Sequence, residues 1–88
     1  RKEAPYLYKS LLLAKEMIGQ GERKAEAIES AMRQLIEKNT SGQIDYIEIY
    51  SFPQLEKQEQ LEGKVIIALA VKFSKARLID NLILEIDK

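Results

Sequence analysis

The chain contains no cysteine and no histidine. The first absence excludes disulfides and thiolate metal sites. The second removes the commonest general acid/base and the commonest transition-metal ligand. Without a histidine base, Ser10, Ser30, Ser41, Ser51 and Ser74 lack the usual activator of a serine nucleophile. Neither sign of charge dominates, since 14 Lys and Arg balance 14 Asp and Glu. Nucleic-acid binding draws on a basic stripe that displaces counterions, and no such stripe is present. The aromatic residues, four Tyr and two Phe, do not interleave with clustered Lys and Arg as a base-stacking platform requires. The longest apolar run, Val65–Val71, falls far short of the ~20 residues that span a bilayer. Neither nucleic acid nor membrane is expected as a partner. No signal-peptide pattern opens the chain, and its bland composition fits the cytoplasm.

Glycine is also scarce, and no Gly-x-Gly-x-x-Gly or phosphate loop occurs. Gly19 and Gly21 punctuate helices. Asp45, Asp80 and Asp87 fall on different elements, without the ligand spacing of a metal loop, and read as solvated or locally hydrogen-bonded carboxylates. Lysine would need a depressed pKa to act as a base or nucleophile, and no pattern here points to one. No residue is assigned a catalytic, cofactor-binding or metal-binding role.

The 88 residues make one domain. Scaling with mass gives roughly 5,300 Å² of folded surface against about 14,600 Å² unfolded, enough for one modest core. Pro5 suits a first helical turn, where its missing N–H costs nothing. Leu7, Leu11, Ala14 and Ile18 then recur at helical spacing, with Tyr8, Leu12 and Met17 widening the stripe. Gly19-Gln20-Gly21 ends that helix. Glu22 places a negative charge at the start of a second helix, whose buried stripe is Ala25, Ile28, Met32, Leu35 and Ile36. Glu29 and Arg33 pair one turn apart on the opposite side. Asn39-Thr40-Ser41-Gly42 closes the helical half, and the short connection predicts an antiparallel helical hairpin.

After Gly42 the period changes to two. Asp45, Ile47 and Ile49 are expected on one side of a strand, with Ile44, Tyr46, Glu48 and Tyr50 on the other. Phe52-Pro53 ends it, because proline has no N–H for a ladder. Gln54–Glu62 reads as a loop. The next strand follows Gly63, with Val65, Ile67, Leu69, Val71 and Phe73 on one face and Ile66, Ala68, Ala70 and Lys72 on the other. The last places Leu82, Leu84 and Ile86 opposite Ile83, Glu85 and Asp87. This order predicts an α+β fold, an antiparallel helical hairpin packed on a three-stranded antiparallel sheet. Leu11, Ile28, Leu35, Ile67, Leu69 and Leu84 are expected to face inward.

Arg77, Asp80 and Asn81 interrupt the apolar strands and are the candidate site residues. Two readings stay open for them. They shape a turn, with Arg77 paired to Asp80, or they lock the domain against a larger partner. Tyr46 and Tyr50 lie beside Ile66, Ala68, Ala70 and Ile83. Either the helices cover that face, or it is a semi-apolar surface for another domain.

Three segments carry a resemblance: Ala4-Pro5-Tyr6-Leu7-Tyr8-Lys9-Ser10-Leu11, Ile44-Asp45-Tyr46-Ile47-Glu48-Ile49 and Lys75-Ala76-Arg77-Leu78-Ile79-Asp80-Asn81. Together they resemble the carboxy-terminal domain of the pantothenate synthetase (pantoate–β-alanine ligase) family, over essentially the whole chain. The resemblance implies a lid domain, residues 1–88, closing over an amino-terminal nucleotide-binding domain that is absent here. It implies a full-length homodimeric enzyme that uses ATP and Mg²⁺ to convert pantoate to pantoyl adenylate, which β-alanine then turns into pantothenate. The family's His-Ile-Gly-His motif is missing, as is the Met-Ser-x-Arg-Asn segment that precedes the lid; Arg1-Lys2 would fall just after that segment. No ATP, pantoate or β-alanine contact is therefore carried onto a residue of this chain, which alone is expected to be inactive. Arg77, Asp80 and Asn81 become candidate interdomain contacts. A different class of reading is an autonomous, non-enzymatic interaction or dimerisation module.

Overall fold

The computed structural model describes residues 5–86. Ala4 of the first resembling segment, Arg1-Lys2 and Asp87 lie outside the described residues. The elements are α1 (Pro5–Gly19), α2 (Ala25–Asn39), β1 (Gln43–Ser51), β2 (Gly63–Lys72) and β3 (Arg77–Ile86). All three strands are antiparallel, in the order β1-β2-β3. The two helices pack on each other, with α2 over β1 and α1 over β3 and β2. This is the α+β arrangement expected from the change of period at Gly42.

The joint between the helices shows how local chemistry sets the hairpin. Gly21 takes a φ of 105°. Its N–H donates to Ile18 O at 3.1 Å, and the N–H of Glu22 donates to Met17 O at 2.9 Å. This pattern satisfies helix-end carbonyls and requires a residue that tolerates positive φ. Arg23 Nη1 donates to Ile18 O at 2.7 Å, capping one more carbonyl. On the far side of the joint, Glu22 Oε2 accepts the N–H groups of Arg23 and Lys24 at 3.1 and 3.0 Å. The negative charge read into the start of α2 thus sits just before the helix and orders the joint, while the N-cap residue Lys24 makes no side-chain cap bond.

Leu11, Ile28, Met32, Ile36, Ile49, Ile67 and Leu69 are almost wholly buried between the helices and the sheet. Leu35 and Leu84, expected beside them, pack against the core while partly buried. Two members of the widened α1 stripe do not join: Tyr8 and Leu12 are exposed, whereas Met17 packs on the core. Ser10 takes the extra inward position on that helix, and its Oγ donates to Leu7 O at 2.7 Å. A helical back-bond leaves no buried hydroxyl unpaired.

β1 departs from strict alternation. Ile44 stands opposite Val71 but Tyr46 stands opposite Ala70, with a bulge between them. The extra residue turns Ile44 onto the core side, where it is partly buried, and leaves Asp45 exposed. The expected faces of Ile44 and Asp45 are therefore reversed. Burying the isoleucine and solvating the carboxylate is what the two side chains favour energetically. Glu29 is also misplaced by the helical pattern. It is half-buried and faces the β1 edge, where the N–H of Ile49 hydrogen-bonds its carboxylate, rather than lying on the solvent side with Arg33.

Residues 52–62 form the loop expected there, although isolated antiparallel bridges join Tyr50 to Lys57 and Lys24 to Gln60. Leu61 is buried under it.

Candidate functional site

The helices cover the Val65, Ile67, Leu69 and Val71 side of the sheet, so the opposite side is open. Its rows follow from the register. Tyr46, Ala70 and Ile79 stand in line, then Glu48, Ala68 and Asn81, then Tyr50, Ile66 and Ile83. Ile79 is 57% and Ile83 44% exposed, a large apolar exposure for two rows of one face. The Tyr50 hydroxyl donates to Glu48 Oε1 at 2.6 Å, and this bond to the carboxylate raises the pKa of the phenol above its ordinary 10.0. Lys57 Nζ lies 5.8 Å from the Tyr50 ring centre. The face is thus apolar in two rows and polar in the row between. Of the two possibilities for Tyr46 and Tyr50, it is the uncovered one that holds.

Arg77, Asp80 and Asn81 all lie within β3 rather than in a turn. The turn comes earlier, at residues 74–76, closed by Phe73 N–H to Ala76 O at 2.7 Å. The strand begins as soon as the chain has reversed, so the polar residues are strand positions with alternating sides. Arg77 and Asn81 point to the open face, opposite Lys72 and Ala68. Asp80, opposite Leu69, is on the helix-covered side at the sheet edge, partly exposed. Arg77 does not pair with Asp80. Its Nε donates to Asp45 Oδ2 at 2.6 Å, with the two side chains 48% and 39% exposed. That contact raises the Arg77 pKa further above its ordinary range. Asp80 Oδ1 instead accepts the N–H of Asn81 at 2.9 Å.

Asp45 is the partner the sequence reading missed, being 32 positions from Arg77. One signal was available. Strict alternation put a carboxylate in the same row as Ile47 and Ile49, and a bulge is the ordinary way to remove such a conflict.

A cleft of about 550 Å³ opens between the start of α2, Ile49 and the loop carrying Lys57 and Glu59. Glu29 lines it. Burial raises the Glu29 pKa, with Lys57, the Ile49 N–H and Arg33 opposing and Glu48 assisting. Among the described residues, no group of three or more Asp or Glu side chains is placed to hold a metal ion. No described helix is long and apolar enough to cross a membrane.

Known proteins agree with this picture over nearly the full length. The family model for pantoate-beta-alanine ligase matches residues 1–83. Pantothenate synthetase of Bacillus subtilis (strain 168) is 54% identical over 86 residues, covering 98% of this chain and 30% of that protein. The pantothenate synthetase of Bacillus thuringiensis (strain Al Hakam) is 50% identical over the same shares. A crystal structure of pantothenate synthetase from Thermus thermophilus superposes with a TM-score of 0.84 at 32% identity, covering 93% of this chain and 29% of that one. The chain thus spans about 30% of the length of these curated relatives. With sequence and fold agreeing across nearly all its residues, the chain belongs to the pantoate–β-alanine ligase family.

Proposed function

We propose that this chain is the carboxy-terminal lid domain of a pantothenate synthetase. The full-length enzyme would join pantoate to β-alanine in an ATP-dependent, AMP-forming reaction through a pantoyl adenylate. The observation that carries the reading is a family match along almost the whole chain that spans only about 30% of its relatives. Most of the catalytic machinery then lies in the remaining polypeptide. The sequence provides no phosphate loop, and the described residues provide no cluster of acids around a common point, so they do not fit ATP or Mg²⁺. Both are assigned to the missing amino-terminal nucleotide-binding domain.

The role left for this chain is to exclude water. An acyl adenylate hydrolyses unless it is shielded until the amine arrives, and a closing domain provides that shield. The open sheet face suits such a partner, with Ile79 and Ile83 as apolar contacts and Arg77 and Asn81 as polar ones. Asp80 acts from the other side of β3, holding the main chain of Asn81. Location in the cytoplasm belongs to the same proposal.

The test compares this chain with its full-length parent. Calorimetry should find no saturable ATP binding by the chain at micromolar concentration, and the chain should form no pantothenate. The parent protein should form pantothenate from pantoate, β-alanine and ATP. Tight ATP binding by the chain alone would overturn the lid assignment. A parent without ligase activity would favour a non-enzymatic interaction module.

A further inference from the structure

β1 lies at an edge of the sheet, with β2 on its inner side alone. An uncovered edge presents N–H and C=O groups to any extended segment that comes alongside. Only every second residue of an antiparallel strand turns these groups outward. On β1 they are Ser51 and Ile49, whose N–H groups bond outside the sheet, and Ile47 by the same alternation. We propose that loop 52–62 and Glu29 together seal this edge against strand addition, and that Glu29 is the closing piece. This goes beyond the lid reading and does not rest on it.

Each stretch of the edge is closed by a different device. At the end of β1, the Ser51 N–H donates to Glu56 O at 2.8 Å, and Ser51 O accepts the Leu55 N–H at 2.7 Å. The loop that supplies these partners is itself tied down. Glu59 O accepts the Ala25 N–H at 3.1 Å, the Leu61 N–H donates to Arg23 O at 2.7 Å, and the Leu61 side chain is buried. At the start of β1, the bulge between Ile44 and Tyr46 breaks the ladder and sets the exposed Asp45 on the edge strand. Bulges and charges are common guards of edge strands. In the middle, the Ile49 N–H meets the carboxylate of Glu29, reaching across from α2. Among the described residues this leaves Ile47 as a single open rung, too short to hold a strand.

Packing alone favours an apolar side chain at the half-buried position of Glu29. The N–H it meets accounts for a carboxylate there. Its oxygens accept without donating, so the N–H is satisfied and nothing is offered to extend the ladder. Without it, Ile47 and Ile49 become one open run. The cleft of about 550 Å³, lined by Ile49 and Glu29, then has room for an incoming strand, which sits ~4.7–4.9 Å from its neighbour.

Three substitutions separate reach from charge. Glu29→Ala removes the carboxylate. Glu29→Asp keeps the charge on a side chain one carbon shorter, and serves if the alanine variant does not fold. Glu29→Gln changes the net charge as alanine does but keeps an oxygen for the Ile49 N–H. Two measurements apply to each, well below its melting midpoint and with circular dichroism confirming the fold. The first is amide hydrogen exchange followed by NMR. The second is thioflavin fluorescence with light scattering over a micromolar to millimolar series. Glu29→Ala and Glu29→Asp should speed exchange at Ile49 roughly tenfold, with the amides of β2 unchanged. Both should also form thioflavin-positive assemblies through the opened edge. Wild type and Glu29→Gln should stay protected at Ile49 and negative with the dye. Leu61→Ala should speed exchange at Ser51 and Ala25 together, because one loop covers both. The proposal fails if Ile49 exchanges alike in all four proteins, or if the alanine and aspartate variants expose Ile49 without assembling. It fails equally if Glu29→Gln assembles as readily as Glu29→Ala.

Discussion

Arg77 on one edge strand reaches Asp45 on the other, with 2.6 Å between Nε and Oδ2. The contact crosses the central strand on the open face, near the row of Gln43, Lys72 and Arg77. The bulge in β1 makes it possible, because strict alternation would have turned Asp45 under the helices. Both partners are well exposed, and an exposed ion pair contributes little to stability. Arg77→Ala in this chain should therefore shift the melting curve by no more than a few degrees, with less effect at high salt. In the full-length enzyme the same change should lower kcat or release free pantoyl adenylate, if Arg77 also meets the nucleotide-binding domain. Equal destabilisation of both proteins with catalysis unchanged would make Arg77 purely structural.

The parts of this fold legible in the sequence are those governed by local periodicity. Leu7, Leu11, Ala14 and Ile18 mark the inner face of α1 because a helix repeats every 3.6 residues, and β2 shows its buried face through simple alternation. The errors fall where a distant element decides. Tyr8 and Leu12 satisfy the helical pattern, yet α1 has only α2 and the sheet to pack against, so its flank stays exposed. Glu29 looks like a solvent-face residue until the edge of β1 arrives beside it. The candidate residues were legible as polar interruptions but their geometry was not. Arg77, Asp80 and Asn81 stood out as polar interruptions, while their placement on alternate sides of β3 depended on the turn closing at Ala76.

Leu69 lies at the centre of β2, fully buried, between Ile47 and Asp80 on the neighbouring strands. Leu69→Ala should cost ~2–5 kcal/mol, the usual range where surrounding atoms only partly fill the cavity. A domain of this size has on the order of 5–10 kcal/mol in total. Urea titration should show a marked fall in the unfolding midpoint at unchanged slope. A midpoint equal to that of wild type would remove Leu69 from the core.

Gly42 and Gly19 should respond to alanine in opposite ways. An added Cβ at Gly42 would come within 2.8 and 2.9 Å of the Phe73 ring, and closer still to Val71. Both neighbours belong to the core, so relief requires repacking, and Gly42→Ala should cost ~1–3 kcal/mol. At Gly19, the last residue of α1, nothing lies within 4 Å of the new atom. Gly19→Ala should be neutral or stabilising by up to ~1 kcal/mol, since alanine loses less backbone freedom on folding. Chemical denaturation of the two variants side by side is the check. Equal losses would mean that steric room does not distinguish the sites.

Glu29 gives a pH dependence whose sign is fixed by its surroundings. Burial against α2 and β1 raises its pKa from the ordinary 4.5, and the opposing influences of Lys57, the Ile49 N–H and Arg33 do not cancel that effect. The folded protein thus holds the proton more tightly than the unfolded chain. Its stabilising contribution is complete below the unfolded value of 4.5 and is lost as pH rises through the higher folded value. At neutral pH the ionised carboxylate is a small cost, moderated by partial exposure. Glu29→Gln keeps an oxygen to accept the Ile49 N–H and removes the charge. The variant should be more stable than wild type at pH 7, and the difference should shrink as the pH is lowered towards 4.5. Thermal melts of both proteins between these limits measure it. A variant less stable at pH 7, with a difference that closes on acidification, would show that attraction to Lys57 and Arg33 outweighs desolvation.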